Sequence, residues 1–152
     1  MIYMNKKYLD IINKYGSDIL NNEKYKSQDK FMQHGKTSVL KHEMNVTIYA
    51  LKLAEKYKIK VNQKSLVRGS LLHDYFLYDW HISDKTHRLH GFHHATMAMN
   101  NAIRDFNINE IEKNMILCHM FPMNLRVPKY KESILLCLAD KIVATKETFK
   151  RK

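Results

Sequence analysis

The chain has 152 residues, 45% of them hydrophobic, with four glycines and two prolines, which is enough apolar material for one packed core with little to interrupt it. Divided in two, each half would be too small to hold together without staples, and the two cysteines, Cys118 and Cys137, make neither a disulfide framework nor a thiolate-rich zinc module. The 26 Lys+Arg against 15 Asp+Glu give a formal net charge of +11, which favours approach to any anionic partner without naming one, since the lysines are scattered rather than gathered in one run.

The amino terminus, Met1-Ile2-Tyr3-Met4-Asn5-Lys6-Lys7, lacks the uninterrupted apolar segment and small-residue cleavage site of a signal peptide. The longest apolar run, Ile134 to Ala139, falls far short of the roughly 20 residues that cross a bilayer. A reducing, cytoplasmic setting without membrane association is expected.

Apolar residues recur at three- and four-residue spacing, so the chain reads as nearly all helix with short connections. A first helix is expected over about Tyr3 to Asn21, with Leu9, Ile12 and Ile19 inward and a weak point at Gly16. A polar stretch from Asn22 to Lys30 reads as a loop or short helix. The next helix starts at Thr37 or Ser38 as N-cap and carries Val39, Val46, Tyr49, Ala50, Leu53 and Tyr57 on one stripe, with His42 inside it.

A third helix is expected from Gln63 to Phe76. It leads into an aromatic-rich loop, Leu77 to Gly91, that holds Tyr78, Trp80, His81, His87 and His90. A fourth covers about His94 to Phe106 and a fifth Asn109 to His119, stopped by Pro122. The last, Lys131 to Lys150, is apolar almost all round at Ile134 to Val143, the pattern of a central buried helix.

Charged and imidazole residues on apolar stripes mark the places to look for chemistry, because an unpaired charge in a core costs several kcal/mol, on the order of its full desolvation. Asp140 shares its helical face with Leu136, Cys137, Val143 and Ala144; His42 with Val39 and Val46; His119 with Met115 and Ile116. His73 and Asp74 follow Leu71-Leu72, and His90, His93 and His94 surround the start of the fourth helix. A single histidine on an apolar face is more often a hydrogen-bonded core residue than a ligand, and Asp140 alone could pair with Lys141. Together, however, His42, His73, Asp74, His90 or His94, His119 and Asp140 lie on five segments, and buried imidazoles and carboxylates satisfy one another through a metal.

This ordered set resembles the HD-domain superfamily of metal-dependent phosphohydrolases, specifically its small stand-alone bacterial members. The resemblance rests on HGKTSVLKH (34–42), RGSLLHDYFLYDWH (68–81), LHGFHHA (89–95), CHMFP (118–122) and CLADKIVATKE (137–147), and covers about residues 31–149. It implies an all-α helical bundle with a central buried metal site. An N-terminal helix and linker (1–30), outside the resemblance, are expected to pack on a compact HD domain (31–152).

Carried over, it places His42, His73, Asp74 and Asp140 on one metal and His90 and His119 on a second, with Asp74 bridging and central to catalysis. His94 stands as a ligand, a phosphate contact or a proton donor. The implied cofactor is a divalent transition metal, two ions per chain, with Fe or Mn favoured and Zn, Co or Ni also compatible. Arg68, His34, Lys141 and Arg126 are candidates for cradling phosphate. Tyr75, Phe76, Tyr78 and Trp80 form either part of the core or a stacking wall for a base.

The expected activity is hydrolysis of a phosphate ester of a small molecule, a nucleotide by preference, by a monomer or homodimer. Two alternatives remain: an iron-dependent oxygenase of the same superfamily, and a basic nucleic-acid- or ligand-binding module with a structural metal.

Overall fold

The structure, a computed structural model, describes residues 5–34, 36–77 and 90–149, the side chains of 34 and 90–92 excepted. Helix α1, Lys6–Leu20, starts at Asn5, whose side chain accepts from the Lys7 backbone N–H. Its buried stripe is Tyr8, Ile12, Gly16 and Ile19. Gly16 is a point of close approach rather than a weakness: a Cβ there would lie 2.6 Å from Leu71 Cδ1, on the helix α1 packs against.

The polar stretch that follows folds into a four-residue helix α2, Glu23–Lys26, and one tighter turn over Ser27–Lys30. A short antiparallel hairpin comes next, β1 Met32–His34 with β2 Thr37–Ser38. Tyr25 of α2 is fully buried, its hydroxyl donating to the Leu71 carbonyl at 2.9 Å, so this connection is part of the core.

Helix α3, Val39–Lys56, begins where the sequence reading put it, with Ser38 accepting from the Lys41 N–H at 3.2 Å. Helix α4, Gln63–Leu72, is shorter than expected. His73 Nδ1 bonds the Ser70 carbonyl at 2.6 Å, and Leu77 takes a left-handed φ of 64°. The chain therefore leaves the helix at the His-Asp pair.

Helix α5, His90–Asp105, begins four residues earlier than expected, and α6, Glu110–Cys118, is closed at its start by a capping box between Asn109 and Glu112. Helix α7 spans Lys131–Phe149. The fold is all-α, as expected, with the small hairpin as the β structure among the described residues.

The apolar sequence of α7 does not make it the central helix. Ile134 and Leu138 are 56% and 48% exposed, because α7 is an outer element resting on α3 and α6. The centre is α4, where every residue from Ser65 through Phe76 is buried. It lies among α1, α3 and α6, and Gly69 lets α6 in so closely that a Cβ would meet Met115 Sδ at 2.5 Å. Small residues bring neighbours near, and that decides centrality more than hydropathy does.

Candidate metal centre

Two histidines are aimed by the same local device. His73 and His119 each follow the last residue of a helix, α4 and α6, and each ring spends Nδ1 on the carbonyl three residues back, Ser70 and Ile116, both at 2.6 Å. As that Nδ1–H donates, the lone pair sits on Nε2, which faces the middle of the bundle. Both helix C-termini carry partial negative charge, so the pair creates a place that favours a cation. His42, in the first turn of α3, is set from the other side: its Nδ1 lies 2.7 Å from Glu147 Oε1 on α7.

The carboxylates complete two groups. Asp140 Oδ1 lies 2.9 Å from His42 Nε2 and 3.4 Å from His73 Nε2. Asp74 points its two oxygens in different directions. Oδ2 lies 3.5 Å from His42 Nε2 and 3.3 Å from His73 Nε2, whereas Oδ1 lies 3.4 Å from both His94 Nε2 and His119 Nε2. The ligand atoms of His42, His73, Asp74 and Asp140 lie within 4.8 Å of one another, as do those of Asp74, His94 and His119. Every member of both groups is buried.

These residues fit a metal. Asp74 Oδ1 and His73 Nε2 are enclosed yet form no hydrogen bond among the described residues, and leaving such groups unsatisfied costs about 1–3 kcal/mol each. His94 Nε2 and His119 Nε2 face each other at 2.9 Å, with the His119 proton already committed at Nδ1. A cation in each group would resolve all three arrangements, and a nitrogen and carboxylate donor set without thiolate suits first-row divalent transition metals.

The electrostatics agree. Burial opposes charge at His42, His73, Asp74, His119 and Asp140, yet His42 is carried up to about 10 by its bonds to Asp140 and Glu147. His73 is likewise raised well above the usual imidazole value, against burial, by the charges of Asp74 and Asp140. Asp74 and Asp140 are held far below the carboxylate range, burial being outweighed by His73 and by the other imidazoles around them. His119 is pushed down by burial despite Asp74. The first group thus retains positive charge strongly, as protons or as a metal ion.

Five of the six residues expected as ligands, His42, His73, Asp74, His119 and Asp140, converge in the structure. The sixth, His90, opens α5, and its side chain lies outside the described residues. In the second group the structure places His94, so that residue stands in ligand geometry. His93 faces solvent.

Among the phosphate-binding candidates, Arg68 is corrected. It is 5% exposed and forks onto Asp18 at 2.6 and 3.0 Å while also bonding the Tyr15 carbonyl, so its guanidinium ties α4 to α1. Lys141 reaches the His119 carbonyl at 3.3 Å, and exposed Arg126 bonds Thr96 at 2.9 Å on the helix that carries His94. The His34 side chain, Tyr78, Trp80, His81 and His87 lie outside the described residues. Tyr75 and Phe76 belong to the core, Tyr75 bonding Asp105 and Phe76 standing edge-on to His94.

Two contributors escaped the sequence reading. Glu147 lies two helical turns beyond Asp140 on the same face, and that spacing was the available signal. Gln33, whose Nε2 donates to Asp74 Oδ2 at 2.8 Å, arrives through the unanticipated hairpin and had none.

A family model of the HD domain matches residues 39–145. The chain belongs to the HD-domain family, and with it to a superfamily of metal-dependent phosphohydrolases. The match spans α3 through most of α7 and contains all members of both ligand groups, while α1 and Gln33 lie outside it. No curated protein and no solved structure matches the chain significantly.

Proposed function

We propose that this protein hydrolyses a phosphate ester of a small molecule, with nucleotides the favoured substrate class, and that His42, His73, Asp74 and Asp140 hold one divalent ion while Asp74, His94 and His119 hold a second. The observation that carries this reading is the divided carboxylate of Asp74, one oxygen turned to each histidine pair. When bound, such a pair of ions supplies an acidified water and positive charge for the phosphoryl oxygens, the requirements of phosphate-ester hydrolysis. Iron or manganese is the favoured metal.

The protein's own part is to fix the ligands with their donor lone pairs turned towards the site. Glu147 holds the His42 ring, the Ser70 and Ile116 carbonyls hold His73 and His119, and Gln33 holds Asp74. Each of these bonds removes a rotamer or a tautomer that would spoil the arrangement. Of the phosphate-binding candidates, Lys141 and Arg126 lie beside ligand-bearing segments and are proposed to receive the phosphate.

The test is phosphate release from a panel of nucleotides and other phosphorylated metabolites by protein reconstituted with Mn or Fe, beside Asp74→Ala. Hydrolysis by the wild type and none by a variant that remains folded by circular dichroism supports the reading. Undiminished activity in Asp74→Ala overturns it.

A further inference from the structure

The segment that leaves the metal centre carries an unusual surface. Directly after His119 the chain runs Met120-Phe121-Pro122-Met123-Asn124-Leu125-Arg126-Val127-Pro128-Lys129-Tyr130-Lys131, and it exposes aliphatic side chains: Leu125 is 79% exposed, Val127 63% and Met123 55%. Leu125 also sits at a left-handed φ of 59°, a conformation that costs a branched residue energy. No burial offsets that cost.

The start of the loop runs beside α7. Cys137 Sγ donates to the Phe121 carbonyl and Lys141 Nζ to the His119 carbonyl, which lays the loop along the helix, and the exposed Ile134 and Leu138 lie on the same stretch of α7. Exposed cations accompany the apolar residues: Arg126, Lys129, Lys131 and Lys141. No acidic residue occurs from His119 to Lys131, and in the first turns of α7 Glu132 and Asp140 are buried.

We infer that this face, the 119–131 loop with the Ile134–Leu138–Lys141 side of α7, docks the protein on an anionic lipid surface. Apolar side chains interleaved with cations are the composition that sits at a membrane interface, the aliphatic groups entering the acyl boundary and the cations meeting headgroups. The alternatives fit less well. A second copy would bring the same four cations together across a two-fold axis. A nucleic acid would want aromatic stacking platforms, and the exposed groups are aliphatic. Net charge pointed only to some anionic partner; exposed aliphatic residues interleaved with cations along this loop point to a lipid surface.

The test is sedimentation of the full chain with phosphatidylglycerol-containing vesicles and with pure phosphatidylcholine vesicles, at low and high salt. Binding to the anionic vesicles that weakens with salt is expected. The variant Leu125→Asp/Val127→Asp should lose it at least tenfold, and Lys129→Gln and Lys131→Gln about fivefold each, from about 1 kcal/mol per basic residue at an anionic surface. Since these side chains are exposed, the variants should retain the wild-type circular dichroism spectrum and metal content.

Any of four results overturns the inference: no binding, equal binding to neutral vesicles, binding that ignores both sets of substitutions, or a dimer that Leu125→Asp/Val127→Asp converts to monomer. The last would make the face a contact between copies. Tight, salt-sensitive retention by RNA in place of vesicles would likewise reassign the surface.

Discussion

His42 Nδ1 meets Glu147 Oε1 at 2.7 Å, a contact between the first turn of α3 and the last turns of α7 that turns the other ring nitrogen towards Asp140 and Asp74. Asn45 holds the second oxygen of Glu147 at 3.0 Å, so the carboxylate is itself fixed. A carboxylate behind a ligating imidazole raises its basicity and sets its tautomer, and loss of such a partner costs about 10–100-fold in metal affinity. Glu147→Gln, which keeps the volume, should show a loss of that size in competition with a chelator while its melting temperature stays close to wild type. Unchanged affinity would reduce the contact to packing.

Gly69 tests the closeness of α4 and α6, the helices that end at His73 and His119. A Cβ there would lie 2.5 and 2.7 Å from Met115 Sδ and Cε and 3.1 Å from its Cβ, and Met115 is fully buried. Alanine gains up to about 1 kcal/mol of helix propensity over glycine, while overpacking of a tight core costs about 1–3 kcal/mol. Because the Met115 Cβ cannot move without its helix, the packing cost should win. Gly69→Ala is expected to lower the denaturation midpoint, and Gly69→Ala/Met115→Ala to couple non-additively with it. A more stable Gly69→Ala protein would contradict the packing described.

Asp18 and Arg68 give a pH dependence remote from the metal. The bond from Arg68 holds the Asp18 carboxyl below its ordinary value, against a smaller opposing effect of burial. For a depressed carboxylate the stabilisation is present above the unfolded-state pKa, about 3.9, and is lost as pH falls through the lower folded-state value. Acid denaturation followed by circular dichroism should therefore show a shallower acid limb in Asp18→Asn than in the wild type. Since Asp18 is half exposed, the effect will be modest. Identical acid limbs would remove Asp18 from the account.

Most of the helices were legible because their signals are local. Ser38 as an N-cap, a helix start at Asn109, and the periodic stripes of α1 and α3 depend only on neighbours in sequence. The ligands were legible for a related reason, since a carboxylate or imidazole on an apolar stripe is conspicuous, as at His42, His119 and Asp140.

What was lost is long-range or geometric. The end of α4 depends on the His73 ring taking the Ser70 carbonyl. The exposure of Ile134 and Leu138 depends on which helices cover α7. Arg68 looked available for phosphate because its partner, Asp18, lies 50 residues away in sequence. Gln33 could not be read at all, as it reaches Asp74 only through the hairpin.

The central claim is that two ligand groups share Asp74, and metal content tests it most directly. Protein purified without a polyhistidine tag should carry close to two transition-metal ions per chain, falling towards one in His119→Ala, since the His42, His73, Asp74 and Asp140 group is left intact. No tightly held metal after reconstitution with Mn or Fe, or a content that His119→Ala leaves unchanged, would contradict it.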